Sequence, residues 1–192
     1  MKQSTKYLVG GTLAIVGLAL AVTAIRQRQS NSFPLDSRGQ AGDPIVRNYF
    51  GQSGSLASTF PRGIRNNNPG NIKMTGSTWG GEIPQEQNTD GTFEQFTTFE
   101  YGVRAMIKLV SNHIKNGYNT IEKLLHKYAP SSENPTSNYI AFVVKETGYP
   151  KDAGLLPTKA TLKKLVQAMA KFENGQSYPI YDSHFEDGYN LL

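Results

Sequence analysis

Four asparagines crowd one short stretch of the chain, Arg62–Lys73, which reads RGIRNNNPGNIK. Asparagine side chains bond to nearby backbone and tolerate left-handed conformations, while proline fixes φ and glycine accepts positive φ. We therefore expect a tight turn over Asn68–Asn71, with Pro69 and Gly70 as its central pair. Amide side chains offer donors and acceptors without charge, which suits ligands rich in hydroxyl and acetamido groups. An asparagine-rich surface turn with no ligand is the structural alternative.

The candidate binding residues are Asn67, Asn68 and Asn71, together with Trp79, the single tryptophan of the chain. Trp79 is followed by two glycines, so its indole is a possible platform for a sugar ring. The alternative for a lone tryptophan in a small domain is a position in the core. The sequence leaves both interpretations open.

A glycosidic bond is cleaved with the help of a carboxylic acid that keeps its proton near neutral pH, which requires a partly apolar pocket. The candidate catalytic residues are Asp90, in a turn-forming Asp-Gly pair, Glu100, at the start of a predicted helix, and Glu133, at another helix start. Glu82 is a weaker candidate. A turn aspartate that accepts backbone N–H groups, and a helix-start glutamate that stays ionised, are the ordinary alternatives. No pair stands out, and the sequence leaves the acid open.

Other kinds of chemistry find no support. The chain has no cysteine, which excludes disulfides, a thiol nucleophile and thiolate metal sites. Its three histidines lack metal-ligand spacing, so we expect no metal and no cofactor. The net charge of +5 is not concentrated in a basic run, so nucleic acid is not an expected partner.

Residues 1–26 contain an uncharged segment, Tyr7–Ile25. At ~1.5 Å per residue, a helix of this length just crosses a bilayer core of ~30 Å. We therefore predict a single membrane-spanning helix that anchors the protein in a lipid bilayer. A cleaved secretory signal, with Val22–Ala24 as its processing site, is the alternative.

The rest of the chain divides by composition and periodicity. Residues 27–60 are rich in Gln, Ser, Gly and Asn and predict a flexible linker. Residues 61–176 predict a globular domain, and residues 177–192 form an acidic and aromatic tail that packs on the core or reaches a partner. Within the domain, residues 62–99 predict short strands and turns, and four amphipathic patterns follow. The expected fold class is α+β, with a small β-lobe followed by about four helices.

Several segments resemble, in order, a family of phage and prophage structural proteins with a lysozyme-like domain, and also the bacterial glucosaminidases that cleave peptidoglycan. The resemblance covers about residues 61–147. It is carried by Arg62–Lys73, Trp79-x-Gly81, Asp90-x-x-Phe93-x-x-Phe96, Tyr101–Ala105, Tyr128–Pro130 and Glu133-Asn134-x-Thr136-x-x-Tyr139. It implies a lysozyme-like fold that acts on the glycan strands of the cell wall, or derives from enzymes that do.

One departure from the glucosaminidase pattern matters. Those enzymes carry their general-acid glutamate before the asparagine segment, whereas here the carboxylates between the apolar segment and Glu82 are Asp36 and Asp43, both in linker-like sequence. Two hypotheses follow from the resemblance. The first is a membrane-anchored, phage-type glycosidase or lytic transglycosylase that opens peptidoglycan locally. The second is a non-catalytic virion or envelope protein that keeps the fold for glycan binding or for assembly with other virion proteins.

The two hypotheses share one expected location. The protein would sit in an internal virion membrane or the host envelope, with its domain facing the cell wall.

Overall fold

The computed structural model describes residues 60–130 and 136–192. The regular elements in these ranges are six α-helices and one 3-10 turn, Gln85–Gln87. The helices are α1 (Arg62–Arg65), α2 (Phe99–Lys115), α3 (Ile121–Tyr128), α4 (Thr136–Thr147), α5 (Lys159–Asn174) and α6 (Asp182–Asn190).

Helix α2 is the centre of the described fold and packs against α3, α5 and α6. Its apolar residues recur every three or four positions, so one face is continuously apolar. The sequence predicts a helical stripe from this spacing, and all five of its members are buried, which confirms the predicted helix: Val103, Met106, Ile107, Val110 and Ile114. Helix α4 packs on α3 and α5 and closes the opposite side of the core.

Helix ends follow local chemistry. The Thr120 hydroxyl caps α3 by accepting the N–H of Lys123 at 3.2 Å. The Thr158 hydroxyl caps α5 by accepting the N–H of Thr161, again at 3.2 Å. Gly175, with a φ of +85°, ends α5 as expected of a glycine after the last helical residue.

The prediction of an α+β fold with a β-lobe over residues 62–99 is wrong. The described residues of this region form no strand, only two isolated bridges, Lys73–Phe93 and Glu82–Phe96. Positive φ values at Asn67 and Asn71, and at three glycines of the same region, interrupt every extended run. Side-chain amides take over hydrogen bonds that a strand ladder would make, so the segment is ordered without being a sheet.

The prediction of a fold anchored in a bilayer by an N-terminal helix is also corrected. In the part of the chain that the structure describes, no helix combines the length and the apolar character needed to span a membrane. The segment on which the prediction rested, Tyr7–Ile25, lies outside the described residues, as does the linker up to residue 59.

The C-terminal residues form a helix that packs on α2. Phe185 and His184 on α6 are fully buried, and the His184 ring meets Phe99 of α2 edge-on at 5.2 Å. Gly188 allows this approach, because a Cβ there would lie 2.7 Å from a methyl group of Val103. The aromatic residues of this segment therefore stabilise the core around α2.

Candidate functional site

A cleft of about 900 Å³ opens between the asparagine segment, the ends of α2 and α3, and the last turn of α5. Its lining mixes aromatic rings, one amide, cations and one acid. The described lining residues are Gly70, Asn71, Ile72, Lys73, Thr75, Trp79, Phe93, Leu109, His113, Lys127, Tyr128, Ala129, Pro130 and Glu173.

The asparagine turn forms one wall of the cleft. The N–H of Asn71 bonds to the Asn68 carbonyl at 2.9 Å, which confirms the predicted turn. The turn is fixed to α5, because the Asn174 amide donates to the Pro69 carbonyl at 2.7 Å. It is also fixed to α3, since the Tyr128 hydroxyl donates to the Gly70 carbonyl. The Tyr128 ring, the asparagine turn and the end of α5 are therefore held together as one rigid wall.

Glu173 is the one carboxylate among the described residues that line the cleft. Its Oε2 accepts a hydrogen bond from the Asn71 amide at 2.9 Å, and the Tyr139 hydroxyl also bonds to it. Burial raises the pKa of the Glu173 carboxyl, and the hydrogen bonds from Asn71 and Tyr139 offset only part of that rise. Its place in the last turn of α5 acts in the same direction as burial, because the negative end of the helix dipole disfavours an anion.

Two tyrosine hydroxyls lie in the same low-dielectric region. Burial raises the pKa of Tyr128 well above its usual value, and the negative charge of Glu173 adds to the shift. Tyr139 is shifted in the same way and for the same reasons. Both phenols therefore stay neutral at physiological pH and act as hydrogen-bonding groups beside Glu173. Titration in this cluster is confined to Glu173.

Two of the predicted binding residues lie in the lining and two do not. Asn71 and Trp79 line the cleft. Asn67 and Asn68 are fully buried. The Asn67 amide donates to the Phe96 carbonyl at 3.0 Å, and Asn68 both donates to the Glu94 carbonyl and accepts the N–H of Ile72, each at 2.9 Å. These two side chains hold the backbone of the turn in place.

Asp90 lies outside the lining and is fixed as an anion. Burial would raise its pKa, but hydrogen bonds from the Asn66 amide and the N–H of Phe93, together with the charge of Arg62, outweigh that effect and lower it. The Asn66 bond measures 2.8 Å and the Arg62 ion pair 3.4 Å. Asp90 therefore holds the turn together outside the cleft, and its catalytic role stays a prediction.

The other predicted acids have different positions. Glu100 lies in the first turn of α2 and does not line the cleft. Glu133 lies outside the described residues, so its role stays a prediction. Within the described ranges, no group of three or more His, Asp or Glu side chains is arranged to hold a metal ion.

Glu173 and Asn174 are not among the residues predicted from the sequence, and they lie about a hundred residues from the asparagine turn they contact. One local signal was present. Lysine and arginine are favoured in the last turn of a helix, so a glutamate directly before the Asn174–Gly175 stop is placed against the helix dipole. A residue that stands in an electrostatically unfavourable position of this kind is a candidate for a functional role.

Comparison with known proteins places the chain among phage proteins. No family model matches it. It is similar to Protein P5 of Pseudoalteromonas phage PM2, with 40% identity over 125 residues, which cover 63% of this chain and 76% of Protein P5. At this identity and coverage the two share their fold over most of their length. The chain therefore belongs to the family of phage Protein P5.

Proposed function

We propose that this phage protein is a virion component whose cleft binds the glycan strands of the bacterial cell wall. The observation that carries the proposal is the composition of the cleft wall. An indole ring, the Asn71 amide and the acid Glu173 lie around one opening of about 900 Å³. Flat aromatic surfaces and uncharged amides match the apolar faces and the hydroxyl and acetamido groups of sugars.

The rigidity of the wall supports this function. Asn71 is held by its backbone bond to Asn68 and by the carboxyl of Glu173. The neighbouring Pro69 is held by the Asn174 amide. A pre-organised wall loses little conformational entropy when a ligand binds. An open cleft with fixed polar groups suits a long polymer better than a small molecule, which is usually enclosed.

The test is retention of the full-length protein on purified, insoluble peptidoglycan. Trp79→Ala removes the proposed stacking surface, and Leu156→Ala removes an exposed apolar side chain that does not line the cleft. We expect Trp79→Ala to lose most of the retention and Leu156→Ala to match the wild type. Equal retention of the two variants would contradict a glycan site at the cleft.

A second candidate function, cleavage of the bound glycan, is favoured by one observation, the raised pKa of Glu173. Protonated Glu173 would donate its proton to the glycosidic oxygen as the C–O bond breaks. The resulting carboxylate would then accept the proton of the hydroxyl that attacks the anomeric carbon, which restores the acid. Attack by water gives a reducing end, and attack by a hydroxyl of the same sugar gives an anhydro-sugar.

Cleavage is tested by mass spectrometry of the fragments that the full-length protein releases from peptidoglycan. Glu173→Gln should lower the release rate by roughly 10²–10⁴-fold while binding is kept. Glu146→Gln, which changes a glutamate paired with Lys171 at 2.7 Å, is the matched control. The rate should fall as pH rises through the pKa of Glu173. Loss of activity in Glu133→Gln instead would assign the acid elsewhere, and no release by the wild type would leave binding as the function.

A further inference from the structure

A second pocket shares a wall with the cleft. This side pocket, of about 650 Å³, lies at the turn between α2 and α3 and is lined by Tyr118, Lys127 and neighbouring residues. Lys127 lines both the cleft and the side pocket. Its ammonium group lies 5.7 Å from the centre of the Tyr118 ring. That ring meets His113 of the cleft edge-on at 5.9 Å, so these three side chains connect the linings of the two openings.

The net charge along this combined surface is positive. Lys73 and Lys127 are exposed cations of the cleft, and Lys123 is an exposed cation of the side pocket. The one carboxylate in the described lining of the side pocket, Glu122, forms an ion pair with Lys151 at 3.1 Å. The acid of the cleft, Glu173, accepts a hydrogen bond from the Asn71 amide at 2.9 Å. Each of the two carboxyl groups thus has a partner, and three lysines outnumber them along this surface.

His113 does not add to this charge at neutral pH. Burial lowers its pKa, and the nearby charge of Lys127 lowers it further. The positive field at the shared wall therefore comes from lysine side chains, and it does not depend on titration near pH 7.

We propose that the cleft and the side pocket together select glycans that carry carboxylate groups. The sugar chain lies in the cleft against Trp79, and a carboxylate-bearing substituent, such as the lactyl or peptide group of a muramic acid residue, reaches Lys127 and packs on the Tyr118 ring. The inference rests on the proposed function, glycan binding in the cleft. It adds the class of glycan and a site for its acidic substituent.

Two features favour this ligand over a neutral glycan or a nucleic acid. A neutral chain would gain nothing from the lysines, whereas a carboxylate gains a charge-assisted hydrogen bond. Nucleic acid binding uses a continuous series of phosphate contacts. Here the cation that lines both pockets is Lys127, and the ring beside it, Tyr118, is about one-third exposed.

The test compares two soluble ligands by titration calorimetry with the full-length protein. One is a peptidoglycan fragment that bears peptide stems, and the other is a chitooligosaccharide of the same length. Lys127→Glu reverses the charge at the shared wall, and Lys145→Glu reverses an exposed charge on α4 that lines neither pocket. Each ligand is titrated at low salt and at high salt.

We expect the wild type to prefer the acidic fragment, and high salt to reduce the preference because the charges are exposed. Lys127→Glu should weaken binding of the acidic fragment by about fivefold or more. The neutral oligosaccharide should be affected less than twofold, and Lys145→Glu should behave as the wild type. Tyr118→Ala should weaken binding of the acidic fragment more than binding of the neutral oligosaccharide, and this loss should not depend on the salt concentration.

Three results would overturn the inference. The first is equal affinity of the wild type for the acidic and neutral ligands, which leaves glycan binding in place but removes the selectivity. The second is a Lys127→Glu effect of the same size on both ligands. The third is tighter, Lys127-dependent binding of a DNA duplex added as a competitor. If the wild type binds neither glycan, the proposed function itself fails, and this inference fails with it.

Discussion

Two carboxylates that accept hydrogen bonds from the asparagine segment differ in how their surroundings shift their pKa values. Asp90 accepts from the Asn66 amide at 2.8 Å, and Glu173 accepts from the Asn71 amide at 2.9 Å. Asp90 has in addition the cation Arg62 and a backbone N–H, so its pKa is lowered. Burial raises the pKa of Glu173 by more than its hydrogen bonds from Asn71 and Tyr139 lower it, and the end of helix α5 acts in the same direction as burial. Similar amide bonds therefore support an anion on one side and an acid on the other.

A hydrogen bond from an asparagine therefore does not by itself set the protonation state of the carboxyl that accepts it. The pKa of the carboxyl is set by its remaining neighbours, because desolvation raises it and a nearby positive charge lowers it. The asparagine segment contacts both carboxylates. Substitutions that disturb the segment, Asp90 or Glu173 one at a time therefore separate their contributions to stability.

The largest effect is expected from Gly102→Ala on α2. A Cβ at Gly102 would overlap the carbonyl oxygen of Asn67, so either the helix or the turn must move. We expect the free energy of unfolding to fall by about 3 kcal/mol or more, measured by urea denaturation. Gly154→Ala, in a loop where no atom lies within 4 Å of the new methyl group, is the control. An unchanged Gly102→Ala variant would show that the turn does not pack on α2 as described.

Asp90→Asn tests the anionic side. The pKa of Asp90 is lower in the folded state than in the unfolded state, so its stabilising contribution is present above the ordinary value of 3.8 and is lost as pH falls through the folded value. We expect Asp90→Asn to cost about 1–3 kcal/mol at pH 7 and nearly nothing in strong acid. Asp152→Asn, an exposed aspartate of the loop before α5, should have no effect at either pH.

Glu173→Gln tests the acid side and should have the opposite sign. A raised folded pKa means that the contribution of Glu173 is fully present below the ordinary value of 4.5 and is lost as pH rises through the folded value. The neutral glutamine should therefore stabilise the protein at pH 7 by about 0.5–2 kcal/mol, with no difference near pH 4. Destabilisation at pH 7 would contradict a raised pKa. Thermal unfolding across this pH range is the measurement.

The smallest effect on stability is expected from Asn71→Gly. Glycine suits the φ of +45° at this position, so the substitution removes the amide without straining the turn. Stability should change by about 1 kcal/mol or less. The pKa of Glu173 should rise further, because the hydrogen bond that lowers it is lost. A fall in that pKa would mean that the amide does not support the ionised form.

Much of the helical part of the fold could be predicted from the sequence, because its signals are local. The stripe on α2 follows from residue spacing, and the turn at Asn68–Asn71 follows from the intrinsic preferences of its residues. The β-lobe could not be excluded in this way. Short apolar and polar alternation is shared by strands and by irregular segments, and here side-chain amides replaced the ladder.

The site was predictable only in part, for a physical reason. Trp79 and Asn71, chosen by residue type, line the cleft, whereas Asn67 and Asn68, chosen in the same way, are buried and bond to backbone carbonyls. Residue type alone does not give orientation. Glu173 reaches the cleft only because α5 folds back onto the turn, a contact between residues 102 positions apart. No local periodicity or motif predicts a contact between residues so far apart in the sequence.

The most direct test of this account is a carboxyl-carbon NMR titration of the full-length protein that resolves Asp90 and Glu173 in one sample, with and without a soluble peptidoglycan fragment. We expect Asp90 to titrate below 3.8 and Glu173 above 4.5. The glycan should shift the Glu173 resonance and leave Asp90 unchanged, because only Glu173 lines the cleft. Ordinary pKa values for both groups, or a glycan that perturbs Asp90 and not Glu173, would contradict the assignment of the cleft as the functional site.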